Sequence, residues 1–325
     1  MQRNPLKHIV TAVLTSLLVA PALAQDAKPY PSRQITLVAP FPAGSATDTI
    51  ARLLANSMSQ DAKVPVIVDN KPGADGNIGA TAVARSAPDG YTVFISTNSA
   101  HAANVSVYKS MPFDPKADFT PVAGLVKIPI ILAVKADSPA KTVAEFVALA
   151  KKSAKPMTFG TSSQTGRGAG ESMKVVAGLD MLNVPYKGSP QALTDLIGGQ
   201  LDSVFSDPVS AGGMASKGLI RVLAITSARR VPTLPDVPTL AESGLVDFEL
   251  TAWVAAFAPA KTPREAVDKL NGYANAFLKN AANATQLATM GAITFPTTPE
   301  QLGTFAEAET KRWARIVEFA KIERQ

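Results

Sequence analysis

A chain of 325 residues without cysteine excludes thiol nucleophiles, cysteine-ligated metals and disulfide-built folds. Its formal charge of +6 arises from 32 basic against 26 acidic residues. Those charges are scattered, and aromatics make up only 6%, a combination that does not build a nucleic-acid groove.

Arg3 and Lys7 precede an apolar run from Ile9 to Ala20, followed by Pro21 and the small-x-small site Ala22-Leu23-Ala24. That layout predicts a secretory signal peptide over 1–24, too short for a transmembrane helix, and a mature chain beginning at Gln25. Its removal takes away Arg3 and Lys7 and lowers the formal charge from +6 to +4. The expected product is soluble and exported, and at this length it buries roughly three-quarters of its unfolded surface without covalent staples.

Beyond Gln25, strand and helix patterns alternate. Ile35 to Ala39 reads as a buried strand and Thr47 to Met58 as an amphipathic helix with Ile50, Leu53, Leu54 and Met58 on one face. Val64 to Asp69 is a second strand, "NKPGADGNIGA" turns into a further helix, and a hairpin-like turn at Asp89-Gly90 leads to a strand over Thr92 to Ser96. This βαβαβ order predicts a largely parallel sheet covered on both faces. The same grammar resumes with strands at Ile128–Val134, Met157–Gly160, Asn183–Tyr186, Ser203–Phe205 and Val222–Ile225. Helices are expected over Thr142–Lys151 and Gln191–Ile197, and after the loop "TSSQTGRGAGES" as far as Gly178. A last strand from Trp253 precedes helices at Pro263–Leu278, Asn283–Met290 and Pro299–Phe319. The fold class is therefore α/β with two lobes: a discontinuous lobe 1 (25–126 plus 251–325) and lobe 2 (127–250), with a ligand cleft between them.

Elimination removes most chemistry. The two histidines are His8, within the signal peptide, and His101; no G-x-S-x-G elbow and no G-x-x-x-x-G-K-[ST] loop occurs. "GRGAG" (Gly166 to Gly170) lacks the third glycine of a dinucleotide turn. Asp48, Asp89 and Asp207 are carboxylates that folding could bring together. The expectation is a protein that is not an enzyme and uses no cofactor and no metal. The loops after the strands point instead to binding, because helix N-termini there present unpaired N–H groups to an anion. Ala43-Gly44-Ser45 with Thr47 and Asp48, then Thr97-Asn98-Ser99, then Thr161-Ser162-Ser163 with Thr165 supply neutral donors without an activating base. Each also has an ordinary reading as an N-cap or turn, and Asp48 one as a charge favoured at a helix start. Arg167 offers either a bidentate clamp for a carboxylate or a solvated side chain.

"YPSRQITLVAPFPAGSATDTIARLLA", "VIVDNKPGADGNIGA", "APDGYTVFIST", "VPYKGSPQALTDLIGGQLDSVF" and "LPDVPTLAESG" together resemble the solute-binding proteins of tripartite tricarboxylate transporters, the Bug family. The resemblance implies a type II-like periplasmic binding protein that closes on a small organic carboxylate. It also implies delivery of that acid to a membrane permease of one large and one small integral subunit. By position it carries ligand contacts onto Ala43, Gly44, Ser45, Asp48, Thr97, Asn98, Ser99, Thr161, Ser162 and Ser163. The sequence departs from the family pattern at Ser45, where a second glycine is common. It departs again at Arg167 and after Phe205, where Ser206 precedes Asp207: either Asp207 takes the family's ligand contact after a small shift, or that contact is lost. With one anion-friendly helix start per lobe and Arg167 nearby, the expected ligand is a dicarboxylate, aliphatic or aromatic such as terephthalate, or a citrate-like acid. A rival expectation is a periplasmic sensor acting with a membrane kinase.

Overall fold

The computed structural model describes residues 29–246 and 248–325. The expected signal peptide and its cleavage site lie outside the described residues. Strand β1 (Ile35–Ala39) is almost wholly buried. Helix α1 (Ala46–Ala62) begins at Ser45, whose hydroxyl accepts from the Asp48 N–H, a standard N-cap. Ile50, Leu54 and Met58 are buried at helical spacing, and Lys63 in the left-handed region ends the helix.

The chain continues through β2 (Val66–Asn70), α2 (Asn77–Ala84) and β3 (Thr92–Thr97). β1 pairs in parallel with both β2 and β3, so Asp89-Gly90 turns a helix into a parallel strand and closes no hairpin. A π-helical turn at Ser99–Ala103 runs into the short α3 (Asn104–Val107). Then comes β4 (Phe119–Pro129), and after Ile130 alone, β5 (Ile131–Lys135). The single strand expected over Ile128–Val134 is thus the end of one strand and the start of another.

Next follow α4 (Val143–Lys152), β6 (Met157–Thr161), α5 (Gln164–Ala177) and β7 (Met181–Pro185). After them lie α6 (Ser189–Ile197), β8 (Ser203–Ser206), α7 (Pro208–Ser216) and β9 (Ile220–Ile225). The chain returns as β10 (Thr251–Pro259) and finishes with α8 (Arg264–Lys279), α9 (Ala281–Thr289), β11 (Ile293–Thr294) and α10 (Pro299–Phe319).

These strands form two sheets, ordered β11-β4-β10-β3-β1-β2 and β7-β6-β8-β5-β9. Both are more mixed than the βαβαβ pattern predicts. β10 runs antiparallel to β3 and β4, and β5 antiparallel to β8 and β9. The reason is the route of the chain: β4 carries it out of the first sheet and β10 brings it back alongside, in the opposite sense.

The chain passes between the sheets at Ile130 and again between β9 and β10, and Thr226 ties both passages. Its hydroxyl accepts from the Ile130 N–H at 2.9 Å and donates to the Leu250 carbonyl. Its backbone also bonds Ile130 O and the Leu250 N–H.

One expected loop is helical. Residues 164–172 form the start of α5, capped by Ser163, whose hydroxyl accepts from the Gly166 N–H. Its glycines serve close packing. A Cβ on Gly166 would come within 2.7 Å of Phe205 O, one on Gly168 within 3.0 Å of Trp313, and one on Gly170 would strike the Phe159 ring. An apolar cluster containing Phe94, Leu132, Phe159, Phe205, Trp253 and Trp313 runs through both sheets. Smaller clusters lie under α1 and α8 and under α6 and α7.

Candidate functional site

A cavity lies between the sheets, where the carboxyl ends of β1, β3, β6 and β8 meet β10 and the end of β4. Its lining comprises Phe41, Ser45, Ala46 and Thr47, then Thr97, Asn98 and Ser99, then Ser162, Ser163 and Thr165, and then Gly188, Ser189, Ser206 and Asp207. The wall is completed by Ile128, Ile130, Ala252, Trp253 and Val254. Its volume, taken as the space open to the centres of water molecules, is about 60 Å³. That exceeds the roughly 10–15 Å³ an enclosed site needs to hold a single water.

The polarity of the walls follows from which lone pairs are already occupied. Ser45 Oγ accepts from the Asp48 N–H, Ser163 Oγ from the Gly166 N–H and Ser99 Oγ from the Gln164 N–H, each at 3.2 to 3.3 Å. Thr165 Oγ1 accepts from Asn98 Nδ2 at 2.6 Å. Each of these hydroxyls keeps its proton to offer. Of the first-turn N–H groups, those of Asp48, Gln164 and Gly166 are spent on these hydroxyls, while those of Ala46, Thr47 and Thr165 add further donors beside the positive ends of two helix dipoles. Thr97 Oγ1 and Ser206 Oγ are buried without a protein partner. The cavity is therefore rich in neutral donors, and Asp207 is the only titratable side chain in its lining. Burial pushes the Asp207 carboxyl above its usual range, against the bonds from Ser210 and Ser189.

Contacts across the seam hold the walls together. Besides Asn98 and Thr165, Gln164 Nε2 donates to Asp75 Oδ2 at 2.8 Å. Gly188 lies against Pro42, where an added Cβ would stand 3.0 Å from the proline ring.

Of the residues singled out in the sequence, Ser45, Thr97, Asn98, Ser99, Ser162, Ser163 and Asp207 line this cavity. Ala43, Gly44, Asp48, Thr161 and Arg167 do not. Ala43 and Gly44 are exposed, and the Gly44 N–H is spent on Asp48 Oδ2 at 2.9 Å. Asp48 also accepts from Arg52 and Asn70. Burial alone would raise its carboxyl, but these bonds outweigh it and hold the group below the usual range. Thr161 turns its hydroxyl to Asn183 Oδ1 at 2.7 Å. Arg167 opens into a separate cavity of about 290 Å³ that also holds Asp75, Gln164, Glu171 and Lys174. Its Nε and Nη1 are buried there without a protein partner.

Comparison with known proteins decides the family. The model of the tripartite tricarboxylate transporter family receptor, TctC, matches residues 50–322. This chain belongs to the TctC family. TctC proteins are solute-binding receptors, and similar solved structures agree in fold. The R. palustris protein Rpa4515 with adipate is 36% identical, covering 91% of this chain and 100% of its own, at a TM-score of 0.89. The periplasmic binding protein BugD is 33% identical, with 91% and 100% covered and a TM-score of 0.87. MatC (Rpa3494) from Rhodopseudomonas palustris with bound malate is 32% identical, with 89% and 100% covered and a TM-score of 0.83.

In this TctC chain sequence reasoning passed over some cavity residues. Ser189 sits in the first turn of α6, and the strand–Gly-Ser–helix pattern of "VPYKGSPQ" is a signal that could have found it. Trp253, Ile128 and Ile130 line the cavity because the crossing strands form its floor, which no local pattern reveals. His101 stacks on Phe257 at 3.8 Å between ring centres and its Nδ1 pairs with Ser96 Oγ at 2.6 Å. Burial depresses its imidazole to about 3. Among the described residues, no group of three or more His, Asp or Glu side chains stands close enough to hold a metal ion.

Proposed function

We propose that this TctC-family chain is a periplasmic receptor that captures a small dicarboxylate in the cavity between its sheets. It then hands the acid to a membrane permease made of a large and a small integral subunit. The observation that carries the reading is the cavity wall: hydroxyls after three strand ends, each with a lone pair occupied by an N–H group, keep their protons to donate into one enclosed space. That arrangement solvates an oxyanion. The adipate of Rpa4515 and the malate of MatC support an aliphatic diacid. With Arg167 opening elsewhere, both ends of the acid are held by hydroxyl and backbone N–H donors, on residues including Ser45, Thr97, Asn98, Ser99, Ser162 and Ser163.

A thermal-shift panel of mono-, di- and tricarboxylates tests this. A ligand at a hundredfold its dissociation constant stabilises the protein by about 2.7 kcal/mol. The expected result is a shift with aliphatic dicarboxylates; no shift with any acid in the panel would overturn the reading.

A further inference from the structure

Three side chains of the cavity form a single hydrogen-bonded row. Ser162 Oγ lies 2.8 Å from Ser189 Oγ, and Ser189 Oγ lies 2.9 Å from Asp207 Oδ2. At the inner end, Asp207 Oδ1 accepts the Ser210 N–H at 2.7 Å as the N-cap of α7. Each hydroxyl has one proton to place. With Asp207 ionised, the Ser189 proton must go to Asp207 and the Ser162 proton to Ser189. Ser162 then turns only lone pairs toward the cavity. Ser162 can donate to a ligand instead only by leaving two hydroxyl oxygens face to face at 2.8 Å with no proton between them.

A proton on Asp207 Oδ2 reverses the row. The acid donates to Ser189, Ser189 to Ser162, and Ser162 to whatever occupies the cavity. The same proton removes the one negative charge in the lining.

We propose that the Ser162–Ser189–Asp207 row couples carboxylate capture to the uptake of one solvent proton onto Asp207 Oδ2. The inference rests on the carboxylate-receptor reading above and adds to it a proton linkage. The surroundings leave Asp207 free to follow this course. On α6, Asp195 accepts from Tyr186 at 2.7 Å, and Lys187 before α6 and Lys217 after α7 are exposed. Beside β8, Asp202 is bonded to Thr158. The α9–β11 turn meets Pro208 with Gly291. From the first sheet the facing groups are Phe41, Ile128, Ile130, Ala252, Trp253 and Val254, none of them titratable. No cation among the described lining residues holds Asp207 ionised, and burial already favours its neutral form. An incoming carboxylate increases that preference through like-charge repulsion.

The test is calorimetric titration of the full mature chain with adipate and with malate, in two buffers of different ionisation enthalpy. Wild-type protein should take up a proton on binding, seen as a buffer-dependent heat. Its affinity should fall with rising pH, by at most about tenfold per pH unit, over the range where the probes are ionised. Asp207→Asn keeps an oxygen for the Ser210 N–H and supplies a fixed donor to Ser189. It should therefore bind with no proton uptake, no pH slope over that range, and an affinity at the upper end at least equal to wild type.

Binding with identical heats in both buffers would overturn the proton linkage and leave the receptor reading standing. Undiminished proton uptake in Asp207→Asn would overturn the assignment to Asp207. Failure of both acids, and of every other acid in the thermal-shift panel, to bind wild type or variant at any pH would overturn both readings. Should the variant not fold, the wild-type heats decide the matter alone.

Discussion

Asn98 Nδ2 donates to Thr165 Oγ1 at 2.6 Å, joining the residue after the third strand of one sheet to the first turn of a helix that packs on the other. Both residues are buried, and both line the cavity. The bond occupies a lone pair of the Thr165 hydroxyl and leaves its proton to donate. Asn98→Ala removes the donor, frees the Thr165 rotor and unties one seam contact. We expect affinity for adipate or malate to fall by about 5- to 100-fold, the equivalent of roughly 1–3 kcal/mol. Unchanged calorimetric affinity would show that the seam takes no part in capture.

Asp48 organises the first loop from outside the cavity. It accepts from the Gly44 N–H, Arg52 and Asn70, and so fixes the turn that presents Ser45. Gly44 itself sits at φ +80, a conformation open to glycine and closed to proline. Asp48→Ala should lower unfolding free energy by about 2–3 kcal/mol, since it strips three donors of a buried charged acceptor. It should weaken carboxylate binding as a consequence of the loosened turn. Urea unfolding beside calorimetry checks both; full stability with lost binding would place Asp48 in direct contact with ligand instead.

Gly170 is where α5 meets the second sheet. A methyl group there strikes the Phe159 ring, which is fully buried. Gly170→Ala should destabilise by about 1–3 kcal/mol and push the N-terminus of α5, with Ser163 and Thr165, out of register with the cavity. A wild-type melting temperature would show that the core absorbs the methyl group.

His101 gives the protein an acid limit. Burial depresses its imidazole to about 3, below the unfolded value of about 6.5. Below pH 6.5 the unfolded chain therefore binds a proton that the native state refuses. The stability contributed by neutral His101 is whole above that pH and drains away as pH falls toward 3. Between about pH 6.5 and 4.5 the loss should be roughly 2–3 kcal/mol, at about 1.4 kcal/mol per unit. His101→Phe should flatten the acid limb by that amount in urea unfolding at the two pH values. An equal drop in wild type and variant would exclude His101 as its source.

The first strand, its capped helix and the Ser/Thr/Asn clusters after β1, β3 and β6 were legible because their signals are local: an apolar run, a capping hydroxyl, a 3.6-residue period. β4 was not, because "FTPVAGLVKIP" carries two prolines and a glycine. It becomes a strand only by pairing along β10, with register shifts that accommodate them. α5 was obscured for the opposite reason. Its glycines signal a loop locally but answer to Phe205, Trp313 and Phe159, which are distant in sequence. For the cavity, residue type and strand-end position located the Ser, Thr and Asn donors. Where a side chain points is set by tertiary partners, and so Asp48, Thr161 and Arg167 could not be told apart from cavity residues until Arg52, Asn183 and Asp75 were placed beside them.

Because the apolar cluster containing Phe94, Phe159 and Trp253 passes through both sheets, neither half owns a complete interior. Loss of structure in one half strips cover from the other. Denaturant should therefore melt the molecule in one sigmoidal step by fluorescence and circular dichroism alike, and a lesion beside Trp313 should weaken the most distant strand as much as its neighbours.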